Sequence, residues 1–305
     1  MRDALNLRAL DHLARCLRCS TQELLDTGRN AGRYYRRFTI ERKGKLRPVR
    51  QPTGRLAALQ GRLTAVLQEL PWPAEFHGGI RRRSARTNAA QHLRASRVFQ
   101  ADIRDFFPSV RPEMVYEAFV AFGCSPDVAR VLTQLTTLDH CVPQGARSST
   151  MVANLVLWHL CLARLKGAAR ARKARPTLYV DDLTVSAKRS LGGMARVADA
   201  VVTQSGLALK RQKTVVGAVD DGTVITGYHP SPEGLRMPAG YLRQVETEIE
   251  QFGAMASTTC PEERARVERS IRGRIQYVAS AEPREAQRLA KLLSQAMGRA
   301  GQPSA

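Results

Sequence analysis

Leu56, Leu59, Leu63, Val66, Leu67 and Leu70 recur at helical spacing, and Pro71 and Pro73 end the run. Such a pattern predicts one amphipathic helix stopped by its prolines. Leu7, Leu10, Leu13, Ala14 and Leu17 follow the same rule, so residues 1–27 read as one or two packing helices. Between these stretches the period changes. Phe38 and Ile40 alternate up to a Lys43-Gly44 turn, and Leu46 and Val49 follow, which predicts a hairpin. "SRVFQADIRDFF" reads as a strand ended by Pro108, with Val98, Gln100 and Asp102 on one face and Phe99 and Ala101 on the other. Residues 112–138 read as helical. "VPQGARSSTMVANLVLWHLCLARL" begins at a Pro-Gly turn, offers Ser148, Ser149 and Thr150 as caps, and runs on as an apolar helix into an Arg-rich loop. "TLYV" and "LTVSA" flank Asp181-Asp182 as a hairpin with the two acids at its turn. "MARVADAVVTQSGLALK" follows as a helix and "TVITGY" as a short strand. Beyond Pro238 the pattern is helical only, over 238–254, 260–279 and 283–298, with Pro261 and Pro283 at helix starts.

The switch from mixed to purely helical patterning, after "HPSPEG", is the strongest domain boundary. Three parts are expected: N-terminal helices with a basic hairpin over 1–95, a mixed central part over 96–230 with a helical insertion near 112–142, and a helical part with a short tail over 231–305. The chain has 305 residues, ample for a large core.

Charge alters this picture of an ordinary globular protein. Lys+Arg 48 against Asp+Glu 27 leaves +21, a surface that repels itself unless a polyanion is bound. A nucleic-acid partner is the first expectation. Residues 29–55 hold ten Lys/Arg against one acid, Glu41, with Tyr34, Tyr35 and Phe38 interleaved. Basic and aromatic residues together suit a groove where phosphates meet Arg and bases stack on rings. Residues 164–175 hold six more basic residues and no acid. No apolar run approaches the length of a membrane span, and the N-terminus is amphipathic and acid-containing, unlike a signal peptide. The six cysteines are scattered, and Cys16-x-x-Cys19 has no second pair nearby. Reduced thiols in a cytoplasmic protein are therefore expected rather than zinc.

The acids point to chemistry. An Asp-Asp turn alone is an ordinary feature. Here a strand ending in Asp102, then a helix, then a hairpin carrying Asp181 and Asp182 would bring three carboxylates together if the strands pair, as in a ferredoxin-like split βαβ unit. Three clustered carboxylates repel unless cations sit between them. Hard oxygen donors select Mg²⁺, with Mn²⁺ as the alternative ion. Two such ions, roughly 3.5–4 Å apart, suit nucleotidyl transfer.

At this point the motifs resemble, in order, those of a reverse transcriptase, and more narrowly a bacterial retron-type one. "RPV" at Arg47–Val49 is similar to the fingers hairpin, "QADIRDFFPS" to motif A, "PQGARSSTMVANL" to motif B, "YVDD" to motif C, "LKRQKT" to motif D and "ITGY" to motif E. "RIQYVASAEPREAQRL" resembles the thumb. "NAAQH" at 88–92 and "ITG" at 225–227 resemble the retron signatures. Two positions depart from the pattern. Val180 stands where Ala is common, and Gly79 follows Gly78 where an aromatic is usual.

The resemblance implies an α/β right-hand polymerase fold with fingers, a ferredoxin-like α+β palm and an all-helical thumb. It implies that Asp102 and Asp181 bind both metal ions, that Asp182 supports them, and that the Ile103 carbonyl completes one shell. Phe107 would abut the sugar and exclude a 2′-OH, so that dNTPs are preferred. Arg47, with Lys45 or Arg42, would grip the triphosphate. Gln144 and Gly145 would line the nascent base pair, and Lys213 would protonate pyrophosphate. Tyr179, Thr226, Gly227, Asn88 and His92 would contact primer or template. Among the thumb arginines Arg264, Arg266, Arg269, Arg272 and Arg274, Arg269 and Arg272 are the leading candidates for RNA contact.

The activity so implied is RNA-directed DNA synthesis: a cognate structured RNA partly copied into msDNA, primed from an RNA 2′-OH, with an RNA–DNA hybrid as product. A role in antiphage defence with an effector protein comes with it. The residues after the thumb are too few for an RNase H domain of ordinary size, so template removal is expected to fall to a host RNase H. The alternatives are another bacterial reverse transcriptase (defence-associated, group II intron-like or diversity-generating) or an inactive RNA-binding module that keeps the fold.

Overall fold

A computed structural model of the chain describes residues 4–42, 44–220, 222–255 and 260–299. In chain order the helices are α1 Leu10–Cys16, α2 Thr21–Arg29, α3 Gly54–Gln68, α4 Ala85–Ala90, α5 Phe106–Ser109, α6 Pro112–Ala121, α7 Pro126–Thr136, α8 Ser149–Leu157, α9 Ala163–Ala171, α10 Met194–Gln204, α11 Ala239–Gly253, α12 Pro261–Ala279 and α13 Pro283–Arg299. The strands are β1 Tyr35–Arg42, β2 Lys45–Pro52, β3 Arg97–Asp102, β4 Arg175–Tyr179, β5 Asp182–Ala187, β6 Val215–Ala218, β7 His229–Ser231 and β8 Gly234–Arg236.

Two compact units emerge, with boundaries unlike the expected three-part division. Residues 1–84 and 97–217 form one; residues 85–96 and 218–305 form the other. Fingers-type and central elements thus share a single unit, because one apolar core runs from Leu7 through Phe76, Phe99 and Phe119 to Leu209. A thumb-like unit gathers α4 and the 225–228 turn to its helices.

In the first unit, β1 and β2 pair antiparallel with Phe38 opposite Val49 and Ile40 opposite Arg47. A separate four-stranded sheet has the order β4-β5-β3-β6. Helices α6 to α9 lie between β3 and β4 in the chain, and α10 lies between β5 and β6, which is the ferredoxin-like order. The helix starts are chemically legible. Ser20 accepts from Glu23 N–H at the head of α2, and Ser125 does the same for Val128 at α7, each removing an unpaired donor. Ser149 is no cap: its hydroxyl donates to Pro143 O at 2.6 Å.

Several local expectations change. The strand ends at Asp102, and Phe106 and Phe107 begin the single turn α5, because Asp105 turns the chain in a left-handed conformation (φ 44°). The Arg-rich stretch after motif B is mostly helix α9, pinned by Lys166–Glu75 at 2.8 Å, by Arg164 donating to Gln204 at 2.8 Å and by Arg172 donating to Gly192 O at 2.7 Å. Those side chains tie helices and loops together rather than lining a strand groove. "TVITGY" is a tight turn, not a strand. Ile225 and Tyr228 exchange backbone bonds around Thr226-Gly227, both at positive φ, a type I′ pattern.

The second unit packs α11, α12 and α13 around Val245, Ile249, Phe252, Ile271, Val278, Leu289 and Leu293. Arg274–Glu248 at 2.8 Å and an Arg288–Glu246 pair tie the helices at the surface. The short hairpin β7-β8, which the sequence pattern did not announce, precedes them. No helix of the described chain is long and apolar enough to cross a membrane. All six cysteines are free, and burial pushes the Cys124 thiol up to about 12.

Candidate active site

The antiparallel register of β3 and β5 carries the site. Asp102 lies directly opposite Asp182, and Asp182 lies opposite Tyr179 across the β4-β5 hairpin. The hairpin loop is therefore Val180-Asp181, one residue earlier than the expected Asp181-Asp182 turn. Asp181 sits in the turn itself, and Asp182 is the first residue of β5. Ile103 N–H donates to Asp181 O at 2.9 Å, fastening the turn to the end of β3. All three acids come from adjoining backbone positions.

Their side chains are a different matter. Among the described residues, no three His, Cys, Asp or Glu side chains already form a metal-holding group. Like charges repel, and Lys210 Nζ draws the buried Asp102 carboxylate to itself at 2.5 Å. Lys210 is held there by backbone bonds: Lys210 N–H to Asp102 O at 2.8 Å and Arg104 N–H to Ala208 O at 2.7 Å. The donor set is oxygen only, and Asp102 already accommodates positive charge. Chemically, Asp102, Asp181, Asp182 and the Ile103 carbonyl fit a hard divalent cation.

Val180 occupies the left-handed region at φ 59°, where a β-branched residue is strained. A two-residue hairpin whose first central residue alone has positive φ matches the II′ pattern, a place for glycine. The strain is held by a strap beneath the turn. Leu178 N–H donates to Glu75 O at 2.7 Å, and His77 N–H donates to Leu178 O at 2.8 Å. A Cβ on Gly78 would lie 2.5 Å from Val180 N and 2.6 Å from its Cγ2. The buried Asn154 of α8 donates to Gly78 O at 2.7 Å and anchors the strap. Val180 thus packs on bare backbone at Gly78, whereas a Cβ on Gly79 (φ 74°) would meet Thr150 Cγ2 at 2.5 Å.

His77 is buried in that strap, and burial, aided by the Arg83 charge, lowers its pKa to about 4. The nearby Glu75 acts the other way, more weakly. The unfolded chain takes up a proton near pH 6.5, whereas the folded chain resists until about pH 4. Stability from this group is therefore complete above pH 6.5 and falls as pH drops from about 6.5 to 4, by on the order of 3 kcal/mol. Melting temperatures between pH 4 and 7.5 should show this slope, and His77→Gln should flatten it.

The remaining positions sort by exposure. Phe106 is core, while Phe107 is half-buried beside it, ring centroids 5.5 Å apart. Lys45 and Arg47 are exposed on β2. The side chains of Arg42 and Lys213 lie outside the described residues. Gln144 O accepts from Arg50 N–H at 2.8 Å, and a Cβ on Gly145 (φ 99°) would meet Val49 Cγ1 at 2.5 Å. Gly145 thus lets β2 approach the motif B loop closely. Tyr35 is tied to Gln60 at 2.9 Å, and burial raises its pKa to about 12, so it is not a free stacking ring.

In the second unit, Asn88 and His92 are buried. Both side chains thus lie below the surface at which a primer contact was expected. Instead Asn88 Nδ2 donates to Thr226 Oγ1 at 3.3 Å, and Thr226 Oγ1 donates to Ala85 O at 2.8 Å. The "NAAQH" and "ITG" segments are one hydrogen-bonded structure that shapes the Thr226-Gly227 turn. Tyr277 OH caps Gly227 O at 3.4 Å, and Tyr228 and Tyr241 pack on its ring. Of the thumb arginines, Arg272 pairs with Glu268, Arg274 with Glu248 and Arg266 with Glu263, and Arg264 lies over Phe252. Arg269 is exposed and, among the described residues, is engaged in none of these ways.

Sequence reasoning missed Lys210 and Gly78. Lys210 lies inside "LKRQKT", but only pairing of 208–210 with 102–104 shows which lysine meets Asp102. Gly78 drew notice only as the neighbour of the unusual Gly79.

A model of the family "Reverse transcriptase (RNA-dependent DNA polymerase)" matches residues 37–246. The retron Ec86 reverse transcriptase of Escherichia coli is 28% identical over 267 residues, covering 85% of this chain and 80% of that one. The retron Mx65 reverse transcriptase of Myxococcus xanthus is 31% identical over 282 residues, again 85% of this chain but 64% of its relative. Among solved structures, an apo telomerase from Candida tropicalis, truncated from its C-terminal domain, aligns with a TM-score of 0.50 at 9% identity. That alignment covers 67% of this chain and 54% of the telomerase, a likeness of fold alone.

Proposed function

We propose that this chain, which belongs to the reverse transcriptase family and is a retron-type RNA-directed DNA polymerase, copies part of a cognate structured RNA into msDNA from an RNA 2′-OH. The observation that carries the reading is the register of β3 on β5, with Asp102 opposite Asp182 and Asp181 in the adjoining turn. Clustered acids in a chain of charge +21 suit catalysis on a polyanion better than plain binding.

Two Mg²⁺ ions, when bound, supply activation of the attacking hydroxyl and neutralisation of the leaving pyrophosphate. Asp102 and Asp181 hold them, with the Ile103 carbonyl, and Asp182 supports from the first position of β5. Arg47 and Lys45 bind the triphosphate from the exposed face of β2. Lys213 delivers the proton to pyrophosphate. Gln144 and Gly145 shape the pocket of the nascent base pair. Tyr179, Thr226 and Gly227 hold the primer, and Asn88 and His92 position the turn from beneath. Arg269 and Arg272 contact the RNA or the RNA–DNA hybrid through its phosphates. An effector protein, a host RNase H, a cytoplasmic setting and a role against phage complete the reading.

Purified protein with a primed RNA template, dNTPs and Mg²⁺ should extend the primer, and nucleic acid co-purified from cells should contain one short DNA joined to RNA. No extension, or heterogeneous DNA, would refute the respective part.

Phe107→Ala should relax sugar selection. The half-buried ring is the group set against a 2′-OH, so the ratio of kcat/KM for dNTP over rNTP should fall roughly tenfold or more. Single-nucleotide incorporation measures it, and Phe106→Leu, a core change, should alter stability instead.

A further inference from the structure

We propose that Lys210 is a positioning residue of the metal site: its ammonium holds Asp102 in the ion-free enzyme and competes with the divalent cation for that carboxylate. The inference rests on the catalytic reading of Asp102 given above. Asp102 is 5% exposed, so its charge needs a partner close by. Lys210 Nζ lies 2.5 Å from its Oδ1. This placement is built into the fold. Residues 208–210 are hydrogen-bonded to 102–104, with Ile103 bridging Leu209, so the lysine leaves the backbone beside the aspartate. Leu209 is buried and fixes the register of the pairing.

Displacement has somewhere to go. Lys210 also lines a cavity of about 630 Å³ together with Arg104, Arg211 and one acid, Asp199, and its side chain is one-third exposed. A cation taking Asp102 would send the ammonium into this cavity, where two arginines oppose it and a single carboxylate, Asp199, answers all three positive charges. Three positive side chains there suit a phosphate-bearing ligand. The exchange makes the ion-free protein stable without metal and makes free divalent ions bind weakly until nucleotide arrives.

The test is direct Mn²⁺ binding to metal-free protein, with no nucleotide or nucleic acid, read from the electron paramagnetic resonance signal of free Mn²⁺. Lys210→Met should bind Mn²⁺ roughly tenfold more tightly than wild type. Lys210→Arg, which keeps the charge, should stay within about threefold of wild type. Asp102→Asn with Lys210→Met should gain nothing over Asp102→Asn alone. Melting curves in chelator check folding, and Lys210→Gln serves if the methionine variant is unstable. Unchanged or weaker Mn²⁺ binding in the charge-removing variants would overturn the proposal. Primer extension by wild type is scored separately. A Mn²⁺ shift without extension sinks the polymerase reading and spares Lys210, and extension without the shift does the reverse.

Discussion

Asp181→Asn is expected to lower RNA-templated primer extension by about a thousandfold or more, with the fold unchanged. The substitution keeps size and removes one charge. Loss of a metal-holding carboxylate forfeits several kcal/mol of transition-state stabilisation, and roughly 4 kcal/mol is a thousandfold. Asp181 is half-buried in the turn, and its backbone carbonyl, which accepts from Ile103 N–H, is untouched by the substitution. Melting temperature should therefore hold. Asp182→Asn should cost less, roughly ten- to a hundredfold, because Asp182 is exposed at the start of β5 and, on the proposed reading, supports the ions rather than bridging them. Single-turnover rates on a primed RNA template, beside melting curves, separate chemistry from folding. Equal activity of wild type and Asp181→Asn would defeat the catalytic assignment.

Gly78→Ala should cripple the enzyme from outside the acid cluster. The added methyl would sit 2.5 Å from Val180 N and 2.6 Å from Val180 Cγ2, distances that force the strap or the turn to move. Overpacking of this kind costs about 1–3 kcal/mol of stability. A shift of the turn near 1 Å would also cost roughly a hundredfold in rate, since Asp181 rides on it. Val180→Ala should restore part of the loss, because it removes the Cγ2 clash but not the one with backbone nitrogen. The interaction energy from the double-mutant cycle measures that coupling. Val180→Gly should relieve the left-handed strain, and it raises stability if the strain outweighs the extra freedom of the unfolded chain. If Gly78→Ala matches wild type in rate and melting temperature, the strap is not a support of the turn.

Periodicity sufficed for the helices with strong stripes, α3 and α11 to α13, and for the β1-β2 hairpin. Each of these helices has an apolar face that only one secondary structure can bury, whereas the hairpin leaves Ile40 and Leu46 exposed and was legible from its alternation alone. It failed at short or strained segments. Thr226-Gly227 forms a turn through backbone bonds and a Tyr277 cap that no local pattern encodes. The motif A strand stops at Asp102 because Asp105 adopts a left-handed conformation, and the hairpin loop shifted by one residue because Val180 was not recognisable as a turn former.

The sequence by itself determined the chemistry on offer: carboxylates at three positions, a basic surface, and motifs in a polymerase order. Those are properties of residue type and spacing, and they survive without coordinates. Only the tertiary structure decided which groups meet. It set Asp102 opposite Asp182, brought Lys210 to Asp102, and placed Asn88 and His92 in the interior. Register, burial and distance arise from pairings between segments far apart in the chain, and a one-residue slip would redirect every side chain on a strand. For the same reason Gly78, which no sequence pattern singled out, became the seat of the Val180-Asp181 turn once Val180 was seen lying against it.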